Sequence, residues 1–298
     1  MSVVLDSKDL ALIDKEIAPE ASQVWDVLAG GARQITEADF VGTREVRVNK
    51  MTGFTAEDYK RNGDNGRKQL SIEKETVKLE NEDWFGYDFD QLDQSESAAL
   101  TIQNAITQHR RLVTLPAKDK VAMKVLLNNV TADGTKIETI TSANALAAYD
   151  DAEQYMTDIS AQGPFVLFVS SDFKKALKQD KSTSHSFTVN ETTSINGIDR
   201  RVDMLDGAVP VQVVSKDRLQ LLDGKHVNFV LVPLNVVSPI TKLGTVDLIP
   251  ASQDRDGYRD TLKGLDYYDA IILENAKKVI YISIASDDSG KTEEKIGG

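Results

Sequence analysis

Residues 46–79 constrain this chain more than any other stretch. Two limbs, 46–59 and 66–79, flank the glycine-rich sequence Asn62-Gly63-Asp64-Asn65-Gly66, and neither limb carries enough apolar residues to bury a face. If both limbs are extended, each reaches about 45 Å at the usual rise of a strand residue. A compact globule of this chain length has a radius of gyration of only about 19 Å. An isolated two-stranded hairpin is marginal in water, so an arm this long needs another surface to lie on, and its mixed charges suit a neighbouring subunit. The alternative is a pair of strands inside an ordinary sheet, its reach lost to bends at Gly53 and Gly66. The arm by itself leaves both readings open.

With 298 residues, 41 % of them hydrophobic, the chain can bury a substantial core in one large domain or two. The N-terminal sequence Met1-Ser2-Val3-Val4-Leu5-Asp6 has no basic region leading into an apolar run. Nor does any stretch approach the roughly 20 apolar residues that span a bilayer, so neither secretion nor membrane insertion is expected. Cysteine is absent, which leaves stability to packing and assembly and fits a reducing compartment. The 47 acidic and 35 basic residues give a net charge of -12, against a surface that wraps nucleic acid by neutralising phosphates. An acidic wall repels DNA weakly and would suit a container that must later release it; ordinary solubility accounts for the charge equally well.

Residues 1–43 mix short apolar clusters with the Gly30-Gly31 break and read as one or two short helices on an adaptable arm. After the hairpin, Trp84, Phe85, Tyr87 and Phe89 are expected to anchor its base in the core. Apolar spacing predicts a helix over 95–112 with Ala98, Ile102, Ala105, Ile106 and His109 on one stripe. A break follows at Thr114-Leu115-Pro116, then a second helix over 117–128. Ser142 is the expected cap of a helix with Leu146, Tyr149, Ala152, Glu153, Met156 and Ile159 on its stripe, ending at Gly163-Pro164. Residues 165–169 read as a buried strand, and Ser171 or Asp172 as the cap of a short helix through Leu177. The serine- and threonine-rich stretch 182–194 reads as a loop, and strands are expected near 202–205 and 209–214. Further strands are expected over 227–232, 236–240, 246–249, 268–273 and 279–284, with turns at Gly224, Gly244 and Asp256-Gly257, then a polar tail from 287. The class is α+β without a fixed-period repeat.

Chemistry-bearing motifs are scarce. His109, His185 and His226 lie far apart and form no zinc-type spacing. Asp288-Ser289-Gly290-Lys291 lacks the strand and helix that a phosphate loop needs, and no serine sits in a G-x-S-x-G elbow. Glu80, Glu82, Asp83, Asp88, Asp90 and Asp93 form the one local acidic cluster to weigh as a metal site. Alternation puts Asp88 and Asp90 on the same strand face, but the loop lacks the glycine and terminal glutamate of a calcium loop, so a solvated charged edge is the better reading. No cofactor, metal or catalytic residue is assigned; a soluble metal-dependent α+β enzyme using Asp88 and Asp90 is the weaker alternative.

The order of elements resembles the major capsid protein of tailed double-stranded DNA bacteriophages, especially siphophages of Gram-positive hosts. The pieces that carry it are Asp58-Tyr59-Lys60-Arg61-Asn62-Gly63 at the hairpin tip, Leu205-Asp206-Gly207-Ala208-Val209-Pro210-Val211, and Tyr267-Tyr268-Asp269-Ala270 with Lys278-Val279-Ile280-Tyr281. Each is short; their order and spacing together make the likeness. The resemblance implies an N-terminal arm (1–43), an extended β-hairpin loop (44–90), a peripheral domain with a long spine helix (91–141) and an axial domain (142–233). Returning strands (234–286) complete both domains ahead of a polar tail (287–298). It further implies a structural protein, not an enzyme, that self-assembles as hexamers and pentamers into an icosahedral head enclosing DNA without sequence-specific binding. The partners implied are a portal protein and often scaffolding and decoration proteins, with assembly in the host cytoplasm and the virion as destination. Tyr59, Lys60, Arg61, Arg67, Lys68, Glu73 and Glu75 are the candidate intersubunit contacts. Some relatives cross-link a loop lysine to an asparagine, but nothing in the spacing around Lys60 or Lys68 identifies an acceptor. An encapsulin-like nanocompartment shell is the nearest rival.

Overall fold

The computed structural model describes residues 21–31, 40–41, 44–52, 54–90, 102–180, 204–219, 221, 224–253 and 257–286. Its centre is a six-stranded sheet in the order β5-β12-β9-β6-β8-β7, built from Thr135–Glu138 (β5), Tyr281–Ala285 (β12), Val227–Pro233 (β9), Phe165–Val169 (β6), Val209–Val213 (β8) and Met204–Leu205 (β7). The run Phe-Val-Leu-Phe-Val in β6 is apolar on both faces because both faces are covered. Leu167 and Val169 join Phe229, Leu231 and Tyr281 beneath two helices, Ala145–Asp158 (α4) and Ser171–Gln179 (α5). Val166 and Phe168 join Val230, Val232 and Ile282 on the other face, against Ala122, Met123 and Leu126. Those three belong to Leu115–Asn128 (α3), and the short helix Trp25–Ala29 (α1) completes this layer through Trp25 and Leu28.

Alongside lies a three-stranded antiparallel sheet, β10-β11-β4, from Val237–Ile249 (β10), Arg259–Ile272 (β11) and Asn81–Asp90 (β4). Two separate strands and a turn at Gly244 were expected where β10 runs through as one, bulging between Thr241 and Leu243. Gly244 sits inside the ladder opposite Asp266, so pairing with β11 overrides its turn preference. β11 also begins at Arg259, earlier than hydrophobicity alone suggested, since cross-strand partners on both sides carry its polar half.

The break expected at Thr114-Leu115-Pro116 does not occur. Ile102–His109 (α2), a π-helical segment Arg110–Thr114 and α3 follow one another without interruption, and His109, Thr114 and Leu115 all keep right-handed helical dihedrals. Proline lacks an N–H and its ring crowds the carbonyl four residues back; the wider π turn just before Pro116 relieves both demands. The rod of 27 residues spans about 40 Å. Residues 95–101, the expected start of this helix, lie outside the described residues.

Two caps also differ from expectation. Ser142 caps nothing: α4 starts after Asn144, whose side chain turns back to accept from the Thr141 N–H at 2.7 Å. The cap of α5 is Ser170, whose Oγ accepts from the Phe173 N–H at 3.1 Å, one residue before the expected position. Glu153 is exposed, so the buried stripe of α4 is Leu146, Tyr149, Ala152 and Met156.

Candidate functional site

The arm is a hairpin of Glu45–Thr52 (β2) and Ser71–Lys78 (β3), registered from Glu45 opposite Lys78 to Thr52 opposite Ser71, with Phe40–Val41 (β1) on the outer edge of β2. The ladder is about 26 Å long. It is shorter than two fully extended limbs because 54–70 contains no strand. Alternation places Val46, Val77 and Val48 on one face, and they pack with Leu79, Ile240, Tyr267 and Ile271 at the root. Polar bonds fix the same joint: the Tyr267 hydroxyl donates to the Leu79 carbonyl at 3.2 Å, and the Glu80 N–H donates to Asp269 at 2.8 Å. Burial pushes the Asp269 carboxyl above its ordinary range, and the N–H bonds from Glu80 and Ala270 oppose that shift. The root is thus welded to β11, and the apolar support ends within about three residue pairs of it.

Beyond the root every residue from 54 to 70 is exposed. The tip is not formless: Asn65 accepts from the Lys60 N–H at 2.9 Å and donates back to the Lys60 carbonyl at 3.1 Å. This reciprocal pair closes the glycine-rich turn in the way an asparagine side chain commonly mimics backbone. Lys68 and Glu57 then pair across the loop at 2.7 Å. Phe54 is 70 % exposed, Tyr59 78 % and Ile72 63 %, large apolar surfaces without cover in the single subunit.

Of the expected contact residues, Tyr59, Lys60, Arg61, Arg67 and Lys68 gather on this tip, whereas Glu73 and Glu75 lie on β3. Glu73 stands directly opposite Lys50. Glu75 belongs to the root, where its carboxylate accepts from the Glu274 N–H at 3.1 Å.

The aromatic segment of β4 departs from expectation. Phe89 is buried, but Trp84 is 71 % exposed and folds its ring over Gly86, because β4 is an edge strand with one face open. The opposite face carries Phe85 and Tyr87 toward the long helix. Phe85 lies 3.9 Å from the His109 ring between centroids, and the Tyr87 hydroxyl is 2.8 Å from His109 Nδ1. A side chain at Gly264 would meet the Phe85 ring at 2.3 Å, so that glycine is what lets the ring lie flat on β11. Burial lowers the His109 pKa, against the pull of Asp266 and Asp83.

The acidic segment is dispersed into separate contacts. Asp88 accepts from the Thr261 hydroxyl at 2.7 Å, Asp83 from the Tyr268 hydroxyl at 2.5 Å, and Glu82 pairs with Arg44 at 2.9 Å. Among the described residues no three histidines or carboxylates converge on a metal-sized site. Asp93 and His185 lie outside the described residues.

One cluster escaped the sequence reading. Asp119 of α3 is fully buried, and its carboxylate accepts from the N–H groups of Gln23, Val24 and Trp25 at 2.9, 3.1 and 2.9 Å, from the Ser22 hydroxyl, and from Arg218 at 2.6 Å. It binds three segments almost a hundred residues apart. The sole sequence signal was a carboxylate one turn ahead of the buried Ala122 and Met123, on the side that should be apolar.

The sequence model for phage capsid protein matches residues 102–275, more than half of the chain. The chain belongs to the phage capsid protein family. Solved structures agree on the fold of this capsid chain. A chain from Mycobacterium phage Che8 has a TM-score of 0.60 at 17 % identity, covering 91 % of this chain and 93 % of its own. The capsid structure of the cyanophage P-SCSP1u gives 0.62 at 10 % identity over 96 % and 98 %. The mature capsid of bacteriophage PhiM1 gives 0.60 at 14 % over 82 % and 83 %. No curated protein matches the sequence. Membership of this family makes the chain a structural protein of a phage shell, and the virion is where such a protein resides.

Proposed function

We propose that this capsid chain is the major subunit of a tailed-phage head, that it closes as hexamers and pentamers into an icosahedral shell around double-stranded DNA, and that its arm tip lies on a neighbouring copy. The observation that carries the arm's role is the contrast along the hairpin: a root fixed by Val46, Leu79 and Tyr267, and an outer part where Ile72 at the end of the ladder and Phe54 and Tyr59 on the folded tip are open to solvent. Exposed apolar surface on a preorganised loop gains free energy when a second surface covers it. In our reading Tyr59, Lys60, Arg61, Arg67 and Lys68 make the intersubunit contacts, and Glu73 supports them from the ladder. Each exposed ion pair is weak, and closed symmetry multiplies it.

In the same reading residues 44–90 form the extended loop, 91–141 the peripheral domain and 142–233 the axial domain, with the returning strands of 234–286 completing both. A portal, and scaffolding or decoration proteins, would join the shell during assembly in the host cytoplasm. Catalysis has no part in this role.

Sedimentation velocity on the purified chain across a wide concentration range tests the proposal. Ring-sized or shell-sized species are expected from the parent chain, and a folded subunit that forms no closed shells from a chain lacking residues 60–68. Normal shells from the deletion variant would remove the tip from the mechanism.

A further inference from the structure

The two helices that cover one face of the six-stranded sheet carry opposite charge. α4 exposes Asp151, Glu153 and Asp158, with Asp150 half-buried beside them, and has no lysine or arginine. α5 exposes Lys175 and Lys178, with Lys174 half-buried next to them, and has a single acid, Asp172, in its first turn. The lysines are spaced so that they share the side of α5 opposite the buried Phe173, Ala176 and Leu177. Lys175, Lys178 and Asp158 make no ion pair among the described residues.

The two surfaces are also displaced from each other across the sheet. α4 leans toward the β5 and β12 side: Asp151 reaches Lys136 of β5, and the rings of Tyr155 and Tyr281 lie 5.5 Å apart. α5 packs through Phe173 on Phe229 of β9, and its lysines border a shallow cavity with Val213 of β8. Two unlike patches on one chain can meet reciprocally across a two-fold axis, which closes a pair and builds no ring. They can also satisfy each other head to tail, the patch of one copy meeting the other patch of the next, which is the arrangement that closes rings.

We propose that the carboxylate face of α4 in one copy and the lysine face of α5 in the next form a charge-complementary contact within the ring of subunits. The contact rests on the shell-forming reading above and is separate from the arm. Copies of a chain with net charge -12 repel at long range, so a ring needs local attraction to set which surfaces meet. Opposed charge patches set that register and raise the rate of encounter more than they raise affinity.

The test uses full-length chains in sedimentation velocity at low and high salt, with circular dichroism to confirm folding. One chain carries Lys175→Glu and Lys178→Glu; a second carries Asp151→Lys and Asp158→Lys, which share one side of α4; a third carries all four. All four positions are exposed, so each chain is expected to fold. At low salt each two-site variant alone should need about tenfold more protein to form rings than the parent. The four-site chain should recover, because its helices have exchanged sign. An equal mixture of the two-site chains should also recover, since they can alternate around a ring with an even number of members, and five-membered rings should not return. The Asp151→Lys and Asp158→Lys chain carries less net negative charge than the parent, so its loss of rings cannot come from overall repulsion. Two-site variants that assemble as the parent does overturn the contact while leaving the shell-forming reading intact. Two-site variants that fail without rescue by mixture or exchange overturn this pairing. A parent chain that stays monomeric under every condition overturns both.

Discussion

In the arm, charged groups meet in solvent: Lys68 and Glu57 lie 2.7 Å apart with both side chains 55 % exposed, and the pair bridges only a local loop. In the body, the Arg218 and Asp119 side chains lie 2.6 Å apart at 6 % and 0 % exposure, and three backbone N–H groups converge on the same carboxylate. The same pair chemistry does different work in the two places. An exposed pair is worth at most about 1 kcal/mol and leaves the loop free to exchange one partner for another. A buried pair is costly to form, and once formed it is costly to break, because removing one member strands the other away from water. The arm keeps its charges available for a neighbour, whereas the body uses its charge to hold the N-terminal segment on the long helix.

The largest effect that separates the two regions is expected from Asp119→Ala, which leaves Arg218 and three N–H groups without their acceptor. A loss of about 3–5 kcal/mol in chemical denaturation is predicted. A loss below about 1 kcal/mol would mean that water replaces the carboxylate and that the joint is not a closed one. Leu79→Ala tests the boundary between the regions: it opens a hole beneath the hairpin root and should lower stability by about 2–4 kcal/mol while leaving the tip's sequence untouched. Unchanged stability there would show that the root does not share the body's core.

A pH series addresses His109, where the long helix meets β4. Its pKa is lowered from the ordinary 6.5 by burial, so the folded chain binds that proton less readily than the unfolded chain. The stability it contributes is present above pH 6.5 and is lost as the pH falls through that value toward the folded pKa. His109→Gln should flatten this fall in the denaturation midpoint, and an identical slope in both chains would assign it to other groups. The smallest stability effect belongs to Lys68→Ala, within about 0.5 kcal/mol of the parent by thermal melting. Its readout is assembly, and a large fall in melting temperature would erase the distinction between arm and body.

Much of this was legible along the chain. The run Phe165 to Val169 announces a strand covered on both faces, and the stripe Leu146, Tyr149, Ala152 and Met156 announces a helix lying on it. The arm was legible because its limbs lack apolar residues. What escaped notice was non-local. Trp84 looked like core, and it is exposed because pairing with β11, about 180 residues later, sets which face of β4 meets the body and leaves open the face of Glu82, Trp84, Gly86 and Asp88. Pro116 looked like a break, and it is absorbed because a π turn precedes it within a rod packed on β11. Gly244 looked like a turn, and it became a ladder residue because Asp266 faces it.

The sequence by itself determined the element types wherever periodicity and burial agree, together with a hairpin that cannot bury itself and an acidic chain without thiol chemistry. Those properties depend on neighbours within a few residues, where side-chain spacing and turn chemistry act directly. Only the tertiary structure decided which strands pair, which aromatic rings see solvent, where Asp119 finds Arg218, and which sides of α4 and α5 remain open for a partner. Each of those depends on segments brought together from far along the chain, and a contact between distant segments leaves no period in the sequence from which it could be read.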